Sequence, residues 1–433
     1  MTKQEKSWIL YDVANSAFVL IVITTIMPIF FKDVAAQGME HAVSTANWGF
    51  ANSFASLMLA VLAPMLGAFA DYRHFKKRFL TGFLLVGILS TLLLTTVNEG
   101  EWLQCLLIFI FARIGFAGAN LFYDSFLTDV TEKERMNLIS SSGYAYGYIG
   151  SVIPFLIVIA LILLGKSPGE GAAIPVYSAK AGFAVVALWW FFFSLPLLKN
   201  VEQKYYLAPA EHPIRDSFAR LLTTFREIRT YRHVFLFLIA YFFYIDGVDT
   251  IITMAAAYGR DIGLSVTTLM LAILMIQIVA FPFALIYGKL ADRFSEKTML
   301  YAGICVYSVI TFISFLLPDL PTTEMKATVF WILAFLVASS MGGIQALSRS
   351  FFAKLIPAEQ SAKFFGFYNI FGKFATITGP FLMGVIGSIA GHSRYGVLSI
   401  LILFIAGGVL LSKVNFPTEF TEKKEPTEIT EFL

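Results

Sequence analysis

Charge is what this sequence has least of. Only 14% of its 433 residues are Asp, Glu, Lys or Arg, against about 25% in a soluble domain. The chain lacks the polar surface to cover itself in water. Cysteine is scarce as well: Cys105 and Cys305 fall in apolar runs of different halves, which argues against a disulfide and offers no metal-ligand spacing. The five histidines, His41, His74, His212, His233 and His392, are scattered among loops and span ends. There is no nucleophile–base pattern, phosphate-binding loop or metal-ligand cluster, so neither enzymatic chemistry nor a cofactor has anything to rest on. A net charge of +3 is too small to suggest nucleic acid as a partner.

What is present is hydrophobicity. Apolar residues make up 58% of the chain, with 44 phenylalanines among them. Runs of about 20 apolar residues recur from end to end, each long enough to cross a hydrocarbon core about 30 Å thick. Backbone groups at that depth find no water and must pair within the segment, which dictates helices. The period-two alternation of a membrane β-barrel is absent. The first run follows a basic start, Met1 to Lys6, yet reaches Phe31, carries Asp12 and shows no small-residue cleavage site. It reads as a retained span rather than a signal peptide.

Twelve spans are expected, near residues 8–31, 46–70, 79–97, 102–122, 140–164 and 180–198, then 234–257, 267–291, 298–317, 327–347, 364–390 and 395–412. With the amino terminus in the cytoplasm, 24 of the 32 Lys and Arg lie on that side and 6 opposite, leaving Arg113 and Lys373 within spans. That asymmetry places both termini in the cytoplasm. The chain then divides into a six-helix bundle at 1–198, a cytoplasmic linker at 199–233, a second bundle at 234–413 and a tail at 414–433. Within the linker, Ile214, Phe218, Leu221, Leu222, Phe225 and Ile228 form an apolar stripe among four arginines, as in a helix lying on a membrane surface. The tail, rich in Glu and Thr, is expected to be disordered.

The halves repeat. Gly67-Ala68-Phe69-Ala70-Asp71 ends span 2 and is followed by Arg73, Lys76, Lys77 and Arg78; Gly288-Lys289-Leu290-Ala291-Asp292 ends span 8 and is followed by Arg293 and Lys297. Asp12-Val13-Ala14-Asn15-Ser16 in span 1 matches Asp246-Gly247-Val248-Asp249-Thr250 in span 7, and the stretch from Gly118 to Pro154 matches that from Gly342 to Pro380.

The Gly-x-x-x-Asp block followed by basic residues, present after both span 2 and span 8, resembles the signature loop of the major facilitator superfamily. A narrower resemblance rests on Tyr11-Asp12-Val13-Ala14-Asn15-Ser16-Ala17-Phe18, on Gly342-Gly343-Ile344-Gln345-Ala346-Leu347-Ser348-Arg349-Ser350, and on Leu355-Ile356-Pro357. Phe364-Phe365-Gly366-Phe367-Tyr368, Gly372-Lys373-Phe374 and Gly379-Pro380 complete it. Together they are similar to the vacuole-effluxer branch, which holds fungal exporters of vacuolar amino acids and their bacterial relatives. The resemblance implies an all-α membrane protein of two pseudo-symmetric bundles around a central cavity, working by alternating access. It also implies that Asp71 and Asp292 latch the cytoplasmic face with Gly67, Arg73, Gly288, Arg293 and Arg349.

Ionisable groups inside a bilayer are costly and mark substrate or ion paths. Five stand out: Asp12, Arg113, Asp246, Asp249 and Lys373. Asp246 lies near mid-membrane, about 18 Å along span 7. Asp249, at i+3, shares its face. Two carboxylates in a poorly solvated cavity disfavour double ionisation, which suits a proton-coupling site; structural pairing with Arg113 or Lys373 is the alternative. Arg113 offers a bidentate fork for a carboxylate, or an internal salt bridge to Asp12. Lys373 has no basic counterpart in span 5. Asn15, Asn120, Tyr144, Tyr148, Tyr241, Tyr244, Gln277, Gln345 and Asn369 are candidate cavity-lining residues. Gly143, Gly147 and Gly150 have the small-residue spacing of close helix packing.

The function expected is a secondary transporter, monomeric in a bacterial cytoplasmic membrane, that exports a small zwitterion such as an amino acid on a proton gradient. Efflux of amphipathic drugs or lipids is the runner-up, favoured by the many aromatics. A non-transporting sensor lacks a soluble domain in which to reside.

Overall fold

The computed structural model describes residues 1–165, 175–207, 231–264 and 266–414. Twelve long helices run through them. The first half holds α1 (Lys3–Ala35), α2 (His41–Ala70), α3 (Phe75–Leu93), α4 (Trp102–Ser125), α5 (Met136–Gly165) and α6 (Val176–Asn200). The second holds α7 (Arg232–Asp261), α8 (Val266–Phe294), α9 (Glu296–Leu316), α10 (Thr323–Leu355), α11 (Ser361–Ala390) and α12 (Ser393–Ser412). By length and composition 11 helices among the described residues can cross a membrane; α11 contributes a shorter apolar stretch, Thr378–Gly387. Large apolar side chains face outward along these helices, as at Leu89, Leu107, Phe111, Phe312 and Ile402. On a water-soluble protein such a belt would be an aggregation surface, whereas on a spanning bundle it meets lipid. This is a multi-pass integral membrane protein.

Several helices extend beyond the apolar runs. α1 begins at Lys3 rather than near residue 8 because Thr2 and Glu5 form a capping box, in which the Thr2 hydroxyl accepts from the Glu5 amide and the Glu5 carboxylate from the Thr2 amide. Glu5 is then held by Arg135 and Thr131 and buried, while Lys3 and Lys6 around it stay exposed. From Phe18 to Ile26 the turn of α1 widens, and the Met27 amide reaches back five residues to Val22. The Thr24 and Thr25 hydroxyls likewise bond the carbonyls of Val19 and Leu20.

The halves meet along α2 against α11, α5 against α8 and α10, and α4 against α11. Within the first half α1 packs on α5 and α6; within the second, α7 packs on α11 and α12. Lys297, at the start of α9, donates to the carbonyls of Ser412 and Val414, and Glu296 beside it bonds Asn137 at the start of α5. Both ends of the described chain therefore lie on one face, here called the terminus face. The first linker residues are extended and bonded there, with the Leu207 amide on the Asp71 carbonyl and the Lys204 and Tyr205 amides on Asp129. The apolar stripe expected at residues 214–228 and the tail from residue 415 lie outside the described residues.

Candidate functional site

The terminus face is closed by clamps that join the halves. The opening amides of a helix have no partner within it, and those of α11 are met by an aspartate from the opposite half. Asp71 accepts from the Ala362 amide at 2.9 Å and from the Lys363 amide at 3.1 Å. A side chain at Gly67, one turn earlier, would collide with the Ala362 carbonyl, so only glycine permits this approach. Lys76 is fully buried and donates to Asp129 at 2.6 Å and to the Ser361 hydroxyl at 2.8 Å. Burial pushes the Asp71 carboxyl up to about 7, against the pull of Lys76 and the two amides.

The repeat places a second clamp across the interface. Asp292 accepts from the Asn137 side chain at 3.0 Å, and Asn137 also donates to Glu296 at 2.8 Å, which is paired with Lys354. The signs are exchanged between repeats: α3 supplies the base Lys76, whereas α9 supplies the acid Glu296. The two clamps are also unequal, since Asp71 is buried and Asp292 exposed. Gly288 packs on Ser141 of α5. Arg73 stacks on Tyr206 of the linker and Arg293 on Phe294 beside it, so neither crosses to the opposite half.

Between the clamps lies Arg349, 2% exposed, a side chain of α10 that enters the first half's charged centre. Its guanidinium donates to Asp12 at 3.2 Å, to Asp124 at 3.0 Å, and to the hydroxyl and carbonyl of Ser140 at 2.9 and 3.0 Å. It lies 4.4 Å from the Tyr144 ring centre and 4.6 Å from that of Trp8. Tyr123 donates to Asp12 at 2.7 Å. A Cβ at Gly143 would strike Asp12, and Gly147 and Gly150 also touch α1, so the glycine stripe serves close packing. The salt bridge of Asp12 therefore goes to Arg349; Arg113 has no hydrogen bond or ion pair among the described residues.

Deeper in the bundle the expected residues fall into separate groups. Asn15 donates to Asn120 at 2.8 Å. Arg113 lies seven residues before Asn120, on the same face of α4. That face is about 200° round the helix from Phe111, which is exposed to lipid. Arg113 thus faces the interior, about 10 Å from the level of the asparagine pair. Tyr148 donates to Gln345 across the halves at 2.9 Å. Tyr241 stacks on Tyr368, with centroids 4.3 Å apart, and Tyr244 bonds Ser348.

Asp246 is fully buried, and its Oδ1 accepts from the Gly379 amide at 2.8 Å and from Thr250 at 3.5 Å. Its Oδ2 has no hydrogen-bond partner among the described residues. Asp249 is half-buried one turn further on. Asn369 bonds the Phe365 carbonyl of its own helix, and Gln277 is half-buried on α8. Lys373 lies on α11, its side chain outside the described residues.

Asp124, Ser140, Asn137 and the ion pair Glu296–Lys354 escaped sequence reasoning. For Asp124 the signal was the third repeat, which sets Arg349, six residues before the end of α10, beside the Asp124-Ser125 end of α4. Symmetry-related ends meet at the axis between the halves, and that is where Arg349 and Asp124 meet.

Two six-helix halves joined by matching aspartate clamps place the chain among transporters, and comparison with known proteins narrows this. The vacuole effluxer Atg22-like family matches residues 38–424. The chain belongs to that family. It is 49% identical over 430 residues to the MFS-type transporter YxiO of Bacillus subtilis, covering 99% of this chain and 98% of that one. It is 24% identical to autophagy-related protein 22 of Coccidioides immitis, over 90% of this chain and 75% of that protein. In fold it is similar to the proton:xylose symporter XylE, with a TM-score of 0.73 at 12% identity, covering 95% of each chain. This Atg22-like protein is therefore a major facilitator superfamily transporter rather than an enzyme.

Proposed function

We propose that this Atg22-like chain is a secondary active transporter that exports amino acids or similar small zwitterions by alternating access, driven by a proton gradient. The clamped face is the cytoplasmic one, as the Lys and Arg asymmetry requires, and the membrane is the bacterial cytoplasmic membrane. The chain works as a monomer.

The observation that carries this reading is the separation of opposite charges in the interior. Arg113 faces inward on α4 with no described partner, while Asp246 on α7 keeps one carboxylate oxygen unbonded. A zwitterion needs both signs, and a proton carrier needs a carboxyl that tolerates a proton. Burying an ionised carboxylate with an unsatisfied oxygen is expensive, so the proton-loaded form of Asp246 suits its site. Arg113 serves the substrate carboxylate through its planar fork, and the Asn15–Asn120 pair lies on the same face of α4, about 10 Å along the helix.

The test is counterflow in proteoliposomes. Protein loaded with unlabelled amino acids should accumulate labelled ones transiently, and amphipathic drugs should not compete. Competition by drugs but not by amino acids would transfer the assignment to efflux of amphipathic compounds.

A further inference from the structure

Arg349 occupies its site as a ligand would. Six side chains surround its guanidinium: Trp8 and Asp12 from α1, Tyr123 and Asp124 from α4, Ser140 and Tyr144 from α5. All six belong to the first half, and Arg349 is the second half's contribution. The box is also held together without it. Trp8 donates to the Tyr123 carbonyl at 2.9 Å and stacks on the Tyr123 ring with centroids 4.5 Å apart, while Tyr123 donates to Asp12 at 2.7 Å. These bonds lie within one half and need not break when the halves part at the terminus face.

We propose that this box is a first binding site for the guanidinium or ammonium group of the transported molecule, and that Arg349 is a tethered cation that plugs it whenever the terminus face is closed. The chemistry is that of cation recognition. Aromatic faces attract a desolvated cation, two carboxylates accept from it, and the Ser140 hydroxyl and carbonyl supply further acceptors. With Arg349 in place, two carboxylates face one guanidinium. Once Arg349 withdraws, both carboxylates lose that guanidinium.

Substrate and Arg349 cannot occupy the box together. A bound cation therefore holds the face open, as any ligand with affinity for one state must. Closure requires the substrate to move on toward Arg113 and the Asn15–Asn120 pair, after which Arg349 returns behind it. A cation with no carboxylate has nothing to offer Arg113 and stays in the box. This rests on the transport reading above, and the test separates the two.

The protein carrying Arg349→Ala, reconstituted in nanodiscs, is titrated with ethylguanidinium, which restores the missing end of the side chain, and with ethylurea, its neutral isostere. A saturable rise in melting temperature is expected with ethylguanidinium alone. Adding Asp124→Asn should weaken its apparent affinity at least tenfold. Equal responses to the two compounds, or a response unchanged by Asp124→Asn, would overturn the proposal. Should Arg349→Ala fail to fold, the chain with Arg349 intact decides. Agmatine should raise labelling of a cysteine at Ala346 severalfold and inhibit counterflow without being carried, and N-acetylated amino acids should not compete. Agmatine without effect on labelling, or competition by N-acetylated amino acids, would also overturn it. If no amino acid is carried at all, the transport reading falls, while the ethylguanidinium titration still decides the box.

Discussion

The Arg349 guanidinium donates to the Asp124 carboxylate at 3.0 Å across the boundary between the two halves. Asp124 lies at the end of α4 and Arg349 six residues before the end of α10, so the contact joins two positions that the internal repeat nearly equates. A contact at a pseudo-symmetry axis is made or broken as a whole when the halves rock, because neither helix end can follow the other half.

Arg349→Ala should open the terminus face. Removing one partner of a buried ion pair costs about 3–5 kcal/mol. Where that cost falls on the closed state alone, it is enough to invert the populations of a carrier biased about tenfold to a hundredfold toward closure. A cysteine at Ala346, buried between the halves, should then react with a membrane-permeant maleimide at least about tenfold faster, since a 1.4 kcal/mol shift is already a factor of ten. An unchanged labelling rate would show that the guanidinium contributes nothing to closure.

The Asp71 clamp should respond to pH. Its carboxyl stands at about 7 in the closed arrangement because burial outweighs Lys76 and the amides of Lys363 and Ala362; in an opened one, where water reaches it, it returns toward the usual carboxylate range of about 4. The closed form thus binds the proton more tightly. Closure is favoured at low pH and weakens as pH rises through about 7, then levels off. Labelling at Ala346, divided by the intrinsic pH dependence of the thiolate reaction, should climb between about pH 4 and 7 in the parent and be flat in Asp71→Asn. Asp71→Ala, which strips the cap from α11, should cost about 0.5–2 kcal/mol and favour opening at every pH. A pH profile identical in parent and Asp71→Asn would assign the titration elsewhere.

Gly67→Leu should hold the halves apart, since even a Cβ there meets the Ala362 backbone. Backbone cannot rotate away as a flexible side chain can, so transport should fall at least about tenfold while melting temperature changes by only a few degrees. Normal transport by Gly67→Leu would mean that α2 and α11 do not close to this distance during the cycle.

Arg113→Gln should distinguish carboxylate recognition from packing. Substrate affinity should fall about tenfold to a hundredfold, the worth of a charged hydrogen bond, and agmatine binding should be unaffected. Loss of both together would place Arg113 in the scaffold instead.

The repeat made much of this readable. The resemblance of Gly67–Asp71 and Gly288–Asp292 to a known signature loop pointed to contacts across the halves; Asp71 meets the opening amides of α11, whereas Asp292 meets the Asn137 side chain. The glycines at 143, 147 and 150 announced a close helix contact. The partner of Asp12 was not readable. Arg349 lies 337 residues away in sequence, in a stretch that looks like the end of a span, and Arg113 is just as basic and nearer. Which arginine Asp12 meets depends on which helix faces cross the interface, and composition does not record that. The different surroundings of Asp246 and Asp249 were hidden for the same reason: both lie on one face of α7, yet Asp246 turns to the Gly379 amide beside Pro380, where α11 departs from regular bonding.

Proton-coupled export is tested by proteoliposomes carrying a labelled amino-acid mixture under an imposed pH gradient, parent beside Asp246→Asn. Gradient-dependent, saturable accumulation is expected in the parent. In Asp246→Asn that accumulation should be lost, while exchange of labelled for unlabelled substrate, which need not release the proton, persists. Accumulation in Asp246→Asn equal to the parent's, or none in a folded parent under either direction of the gradient, would contradict it.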